Sequence, residues 1–131
     1  MNIAVLYSTG PIELDGSNTR QFIVKILNNS PKDTATGKVR VFSLNGGKSR
    51  IANPTFYIPP LSSDFFSFDV KDEAEVEFQI RVDSLNGATN EQITSFVLPS
   101  VWGKNPGGVP QTEHRLVTAE IRIVRPIGDS E

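Results

Sequence analysis

His114 is the only histidine among the 131 residues, and there is no cysteine. The side chains that most often carry nucleophilic and metal chemistry are therefore nearly absent. Without thiols there can be no disulfide, thiolate metal site or cysteine nucleophile, and the redox compartment is left undetermined. His114 stands between Glu113 and Arg115. A hydrolase would need it aligned with a hydroxyl and an orienting carboxylate, and no G-x-S-x-G elbow occurs. It is expected at the mouth of the last strand, as an interaction residue rather than a catalyst. The acidic run Asp69, Asp72, Glu73, Glu75 and Glu77 offers the oxygen ligands that a hard cation prefers. However, Glu75 and Glu77 alternate with apolar residues, Lys71 interrupts the run, and calcium-loop spacing is missing. The run reads as a charged exterior that guards a sheet against edge pairing. No catalytic, metal-ligating or cofactor-binding residue is assigned, and the chain is not expected to be an enzyme.

The aromatic residues are eight Phe, Tyr7, Tyr57 and Trp102. A sugar-binding sandwich displays Trp and Tyr as stacking platforms. Here Phe dominates and falls mostly on inward parities. Trp102, in Val101-Trp102-Gly103-Lys104, is either a lone platform or a plug in the core beside the following loop, and the plug is the preferred reading. Asn28-Asn29-Ser30 matches a glycosylation acceptor, but Pro31 follows it and no secretion signal precedes it.

The elements that must position these residues are strands. Val, Ile and Thr number 12, 11 and 9, against 8 Leu, 6 Ala and 1 Met. Such β-branched excess disfavours a helical bundle. Alternation of period two is clearest from Ala74 to Asp83, where Ala74, Val76, Phe78, Ile80 and Val82 share one face. Phe22, Val24 and Ile26 form another apolar face, as do Phe66, Phe68 and Val70, and Val117, Ala119, Ile121 and Ile123. Val39 and Val41 point inward before Phe42 and Leu44 change parity, which predicts a bulge. Thr55–Ile58, Gln92–Leu98 and Ile3–Tyr7 are further strand candidates. Asn45-Gly46-Gly47 reads as a hairpin turn, Pro59-Pro60 as a strand end, and Asn105–Pro110 as a loop that no regular element crosses. About eight strands and no helical pattern predict an all-β, single-domain antiparallel β-sandwich, immunoglobulin-like or jelly-roll. Residues 1–131 form that one domain, with 1–19 as an N-terminal strand or arm and 126–131 as a loose tail.

Charge and hydropathy exclude other classes. Thirteen Lys and Arg are scattered among 15 Asp and Glu, for a net charge of −2. No basic stripe suits a nucleic acid. No apolar run approaches the roughly 18 residues of a membrane span, and the N-terminus lacks a signal peptide's basic region. Synthesis in the cytoplasm is expected.

Three segments, Arg20-x-Phe22-x-Val24-x-Ile26-Leu27-Asn28-Asn29-Ser30, Val39-x-Val41-Phe42-x-Leu44-Asn45-Gly46 and Ile58-Pro59-Pro60-x-Ser62-Ser63, carry a resemblance. Together with Val101-Trp102-Gly103-Lys104 and His114-Arg115, they resemble small β-sandwich proteins of spore-forming bacilli. The resemblance implies a structural or surface role, with deposition on the spore and no signal peptide. Endospore appendage subunits of related organisation carry N-terminal cysteines for cross-linking. This chain has none, so any assembly is non-covalent. The expected function is a non-catalytic structural or self-assembling protein whose partners are its own copies or other surface proteins. The alternative is a binding module for a carbohydrate or peptide, acting through residues 99–114. The residues expected to make contacts are Ile3, Val5, Tyr7, Trp102 and His114. Because Ile3, Val5 and Tyr7 are interleaved with apolar Ala4 and Leu6, that segment needs cover on both faces, from its own domain or from a neighbour.

Overall fold

The computed structural model describes residues 4–14, 19–85, 90–105, 107, 110–116 and 122–127. Eleven strands and one short helix lie among them: β1 (Ala4–Ser8), β2 (Ile12–Glu13), β3 (Gln21–Asn28), β4 (Ala35–Ser43), β5 (Ser49–Ala52), β6 (Thr55–Ile58), β7 (Ser62–Asp69), β8 (Glu75–Leu85), α1 (Asn90–Phe96), β9 (Val97–Lys104), β10 (Pro110–Leu116) and β11 (Arg122–Ile127). They form two antiparallel sheets, the expected all-β, sandwich-like architecture. One runs β11-β1-β8-β4-β5, with β2 also on β8 and β6 also on β4; the other runs β10-β9-β3-β7.

The period-two pattern builds the core. Val76, Phe78, Ile80 and Val82 of β8 are fully buried, as are Val39 and Val41 of β4. From the other sheet come Phe22, Val24 and Ile26, with Val97 and Val101 beside them. Phe78 joins the layers, its ring 4.8 Å from that of Phe22 and 5.9 Å from that of Phe68. Ala74, assigned by parity to this face, lies ahead of β8 and is half-buried.

Turn chemistry appears where the residue types require it. Gly46 adopts φ +84° in the β4–β5 connection, a conformation costly for side chains with a Cβ. The bulge expected near Phe42 is a register shift between Val41 and Phe42. A second shift, between Thr36 and Gly37, faces β8. There a Cβ on residue 37 would stand 2.6 Å from Phe56 Cζ and collide with the Arg81 carbonyl, so glycine is needed for close approach.

Three expectations are corrected. Gln92–Phe96 is helical and only Val97 onward is extended, because Ile93 and Phe96, three residues apart, put one face of a short turn against the core. The tail does not begin at Pro126: Pro126 and Ile127 pair with Val5 and Ala4 as the end of an edge strand, where a missing N–H is tolerated. The outward parity of β8 is not all in water. Gln79 is 9% exposed and Arg81 5%, because strands flank β8 on both sides and long side chains lie across their neighbours.

Candidate functional site

Each residue singled out from the sequence has a definite place. Val5 and Tyr7 lie in β1, paired with β8 on one side and β11 on the other, and both are buried in the chain's own core. The cover that this segment needs therefore comes from its own domain. The Tyr7 hydroxyl donates to the Val97 carbonyl at 2.8 Å, and burial pushes its pKa up to about 12. It is thus neither an acid nor a nucleophile near neutrality. Ile3 lies outside the described residues, as do Val117, Ala119 and Ile121. His114 falls in β10, within the stretch between Gln111 and Arg115 where pairing with β9 changes register.

Trp102 is not the core plug expected of it. Along β9 burial alternates, with Val97, Pro99, Val101 and Gly103 inside and Leu98, Ser100, Trp102 and Lys104 outside. Trp102 therefore stands half-buried on the outer face of the four-stranded sheet. The alternating backbone decides this, since Val101 already takes the inward position.

The ladder of this sheet organises that outer face into rows. Lys104, Gln21 and Asp69 stand in register; next come Trp102, Ile23 and Ser67, then Ser100, Lys25 and Phe65, then Leu98, Leu27 and Ser63. Side chains opposite one another in such a ladder touch or nearly touch. The far rows mix polar and apolar side chains, and two of the apolar ones are accessible: Phe65 is 63% exposed, and Leu27 also stays open to solvent. Just before β7, Leu61 adopts φ +53°, a strained conformation for a bulky side chain, and holds its own side chain out in solvent. Its N–H donates to the Ser30 carbonyl at 3.1 Å.

The near row is polar and concave. Arg20, Gln21, Asp69, Lys71 and Asn105 line a cavity of about 440 Å³ where the ends of β3, β7 and β9 converge. Main-chain bonds fix its walls: Arg20 N–H donates to Lys104 O at 2.8 Å, and Val70 N–H donates to Arg20 O at 2.9 Å. Asp69 Oδ1 accepts the Lys71 N–H at 3.0 Å, and Gln21 Nε2 donates to Ser67 Oγ.

The opposite outer face, on the seven-stranded sheet, carries a closed polar network. Glu77 is paired with Lys48 at 2.8 Å and accepts bonds from Ser8 Oγ at 2.5 Å and Gln79 Nε2 at 3.1 Å. Burial raises the Glu77 pKa, but the bonds from Lys48, Ser8 and Gln79 and the Lys48 charge outweigh it and hold the carboxyl below its usual range. Its lone pairs are committed, so it is a poor proton acceptor. Lys48 also sits 4.5 Å over the Phe42 ring. Of the acidic run weighed for calcium, Glu73 faces Asn45 at 3.5 Å and Asp69 folds onto Lys71. No group of three His, Asp or Glu close enough to hold a metal occurs among the described residues.

Sequence reasoning missed one polar knot. Asn28 is fully buried and its Nδ2 donates to the carbonyls of Asp33, Ile58 and Pro59, while its Oδ1 accepts the Ser30 N–H. It ties the end of β3 to the end of β6, a structural role for the Asn28-Asn29-Ser30 motif. No protein-family model, curated protein or solved structure matches the chain.

Proposed function

We propose that this chain is a non-catalytic structural protein that self-associates through β7 and the exposed apolar side chains Phe65 and Leu27 on its sheet, in a surface assembly of the spore-coat kind. The observation that carries this reading is Phe65, 63% exposed on a strand that ends its sheet. An edge strand offers unpaired N–H and C=O groups to a further strand, and an exposed apolar side chain on it adds area to the contact. The Phe65 N–H is turned to its neighbour Asp64, donating to Oδ1 at 2.8 Å, as an amide without a strand partner does.

A second copy fits this edge in its charges. Antiparallel pairing of two β7 strands about Phe65 sets Phe65 against its own copy, Ser63 against Ser67 and Asp64 against Phe66. No acid then directly faces another acid, the arrangement that cross-strand pairing requires. Such a contact is two-fold and self-complementary. The committed Glu77 and Tyr7 groups support the absence of catalysis.

Light scattering across a concentration series tests the proposal. The native chain should exceed monomer mass as concentration rises, and Phe65→Asp should return it to monomer with an unchanged melting temperature. A native chain that stays monomeric throughout the series, or a Phe65→Asp variant that associates as well as the native chain, overturns it.

A further inference from the structure

The Asn45-Gly46 turn carries a chemistry that does not depend on self-association. We infer that Asn45 is a site of spontaneous covalent conversion to aspartate and isoaspartate, and that the folded chain holds the reaction back by engaging both reacting groups. Glycine after asparagine hinders such a reaction least, since no Cβ shields its nitrogen. Asn45 and Gly46 are exposed, and no atom beyond the chain neighbours lies within 4 Å of where a Cβ on residue 46 would stand. Water and hydroxide therefore reach both residues.

The conversion balances with water as its only net co-reactant. Hydroxide takes the Gly46 N–H proton, the nitrogen bonds to Asn45 Cγ, and the Cγ–Nδ2 bond breaks with departure of ammonia. Water then opens the cyclic imide. Cleavage between the Gly46 nitrogen and Cγ leaves aspartate. Cleavage between that nitrogen and the former Asn45 main-chain carbonyl carbon leaves isoaspartate, whose main chain runs through Cβ and Cγ.

Hydrogen bonds oppose the first step. Asn45 Oδ1 accepts the Ala74 N–H at 3.1 Å and the Glu75 N–H at 3.3 Å, and Nδ2 donates to Glu73 Oε1 at 3.5 Å. The carboxamide is thereby held at the start of β8, where Leu44 N–H also donates to Glu75 O at 2.9 Å. The nucleophile is engaged as well: Gly46 N–H donates to Leu44 O at 2.8 Å. Closing the imide rotates the Asn45–Gly46 peptide about the Asn45 Cα–C bond until its nitrogen lies beside Cγ, and that rotation breaks the bond to Leu44. The donors on Oδ1 polarise Cγ, but attack needs the reacting atoms in near-contact. The turn must open first, so the rate follows the population of the opened turn. The products then alter the turn. Aspartate sets a carboxylate beside that of Glu73, and isoaspartate moves the former Oδ1 carbonyl into the main chain.

The test incubates the full chain at mildly alkaline pH, in buffer and in guanidinium chloride, and follows each asparagine by digestion and mass spectrometry, with isoaspartate separated by chromatography. Leu85-Asn86-Gly87 repeats the tripeptide Leu44-Asn45-Gly46 and serves as the internal standard in denaturant. There the two should convert at rates within about twofold of each other, since local sequence alone acts on an unfolded chain. In buffer Asn45 should convert at least about tenfold more slowly than in denaturant, because several hydrogen bonds of modest net worth have to open. Ala74→Pro removes one N–H from Oδ1 and should speed conversion in buffer by about threefold. Conversion of Asn45 as fast in buffer as in denaturant, its failure to convert in denaturant while Asn86 does, or a folded Ala74→Pro variant no faster than the native chain overturns the inference. If Ala74→Pro fails to fold, the comparison of buffer with denaturant on the native chain decides alone.

Discussion

On the outer side of β8, Gln79 and Arg81 keep only 9% and 5% of their surface in water, whereas on the outer side of β7 Phe65 keeps 63%. Both strands alternate, and both positions have outward parity. β8 is flanked on both sides, so its long polar side chains lie over neighbours such as Leu6, Lys38 and Arg40. Among the described residues β7 ends its sheet and has a neighbour on one side only. On its outer side β8 is thus closed by long polar side chains, whereas β7 leaves Phe65 open. Outward parity states a direction; the number of flanking strands decides how much water remains there.

The contrast can be broken most severely from the core that both sheets share. Phe78→Ala should cost about 3–5 kcal/mol, seen as a large drop in the urea midpoint, because its ring meets Phe22 and Phe68 across the interior. A smaller loss, about 1–3 kcal/mol, is expected for Gly37→Ala, where a methyl group must displace the Phe56 ring and the Arg81 carbonyl. A variant as stable as the native chain would show that β4 and β8 do not approach so closely.

The closed outer face is sharpened by Arg81→Ala. Its Nε bonds Asp83 at 2.7 Å and its stem is covered, so about 1–2 kcal/mol should be lost on chemical denaturation. Unchanged stability would mean that this face is as open as the other. Acid should act on the same network through Glu77. Because its folded pKa is depressed, its contribution is fully present above the ordinary value of 4.5 and is lost as pH falls through the lower folded value. Glu77→Gln should therefore flatten the dependence of melting temperature on pH below about 4.5; an unaltered dependence would remove Glu77 from the account. The smallest change is expected on the open face. Phe65→Ser should alter the unfolding free energy of the monomer by less than about 0.5 kcal/mol, and a larger loss in dilute solution would show that the row is part of the fold.

Much of the fold was legible in local pattern. The inward faces of β3, β4 and β8, the Gly46 turn and the break before β10 follow from period, β-branching and turn residues, which act within a few positions of one another. Helix α1 was not, because seven residues are too few to show a helical period, and only the core's hold on Ile93 and Phe96 selects it. The candidate site was less legible still. Trp102 was named, but its face was set by the register of β9 against β3, and the cavity beside it joins residues from positions 20 to 105.

The sequence by itself determined that this chain forms strands with one apolar side, turns at its glycines and prolines, and carries neither thiols nor a second histidine, because these are properties of residue type and short spacing. Only the tertiary structure decided which outward faces are covered, that β1 is held between β8 and β11, and that Phe65 lies on an open edge. Those outcomes depend on strand order. Strand order is settled by contacts between residues tens of positions apart, where the energy of burying a whole face outweighs any local preference.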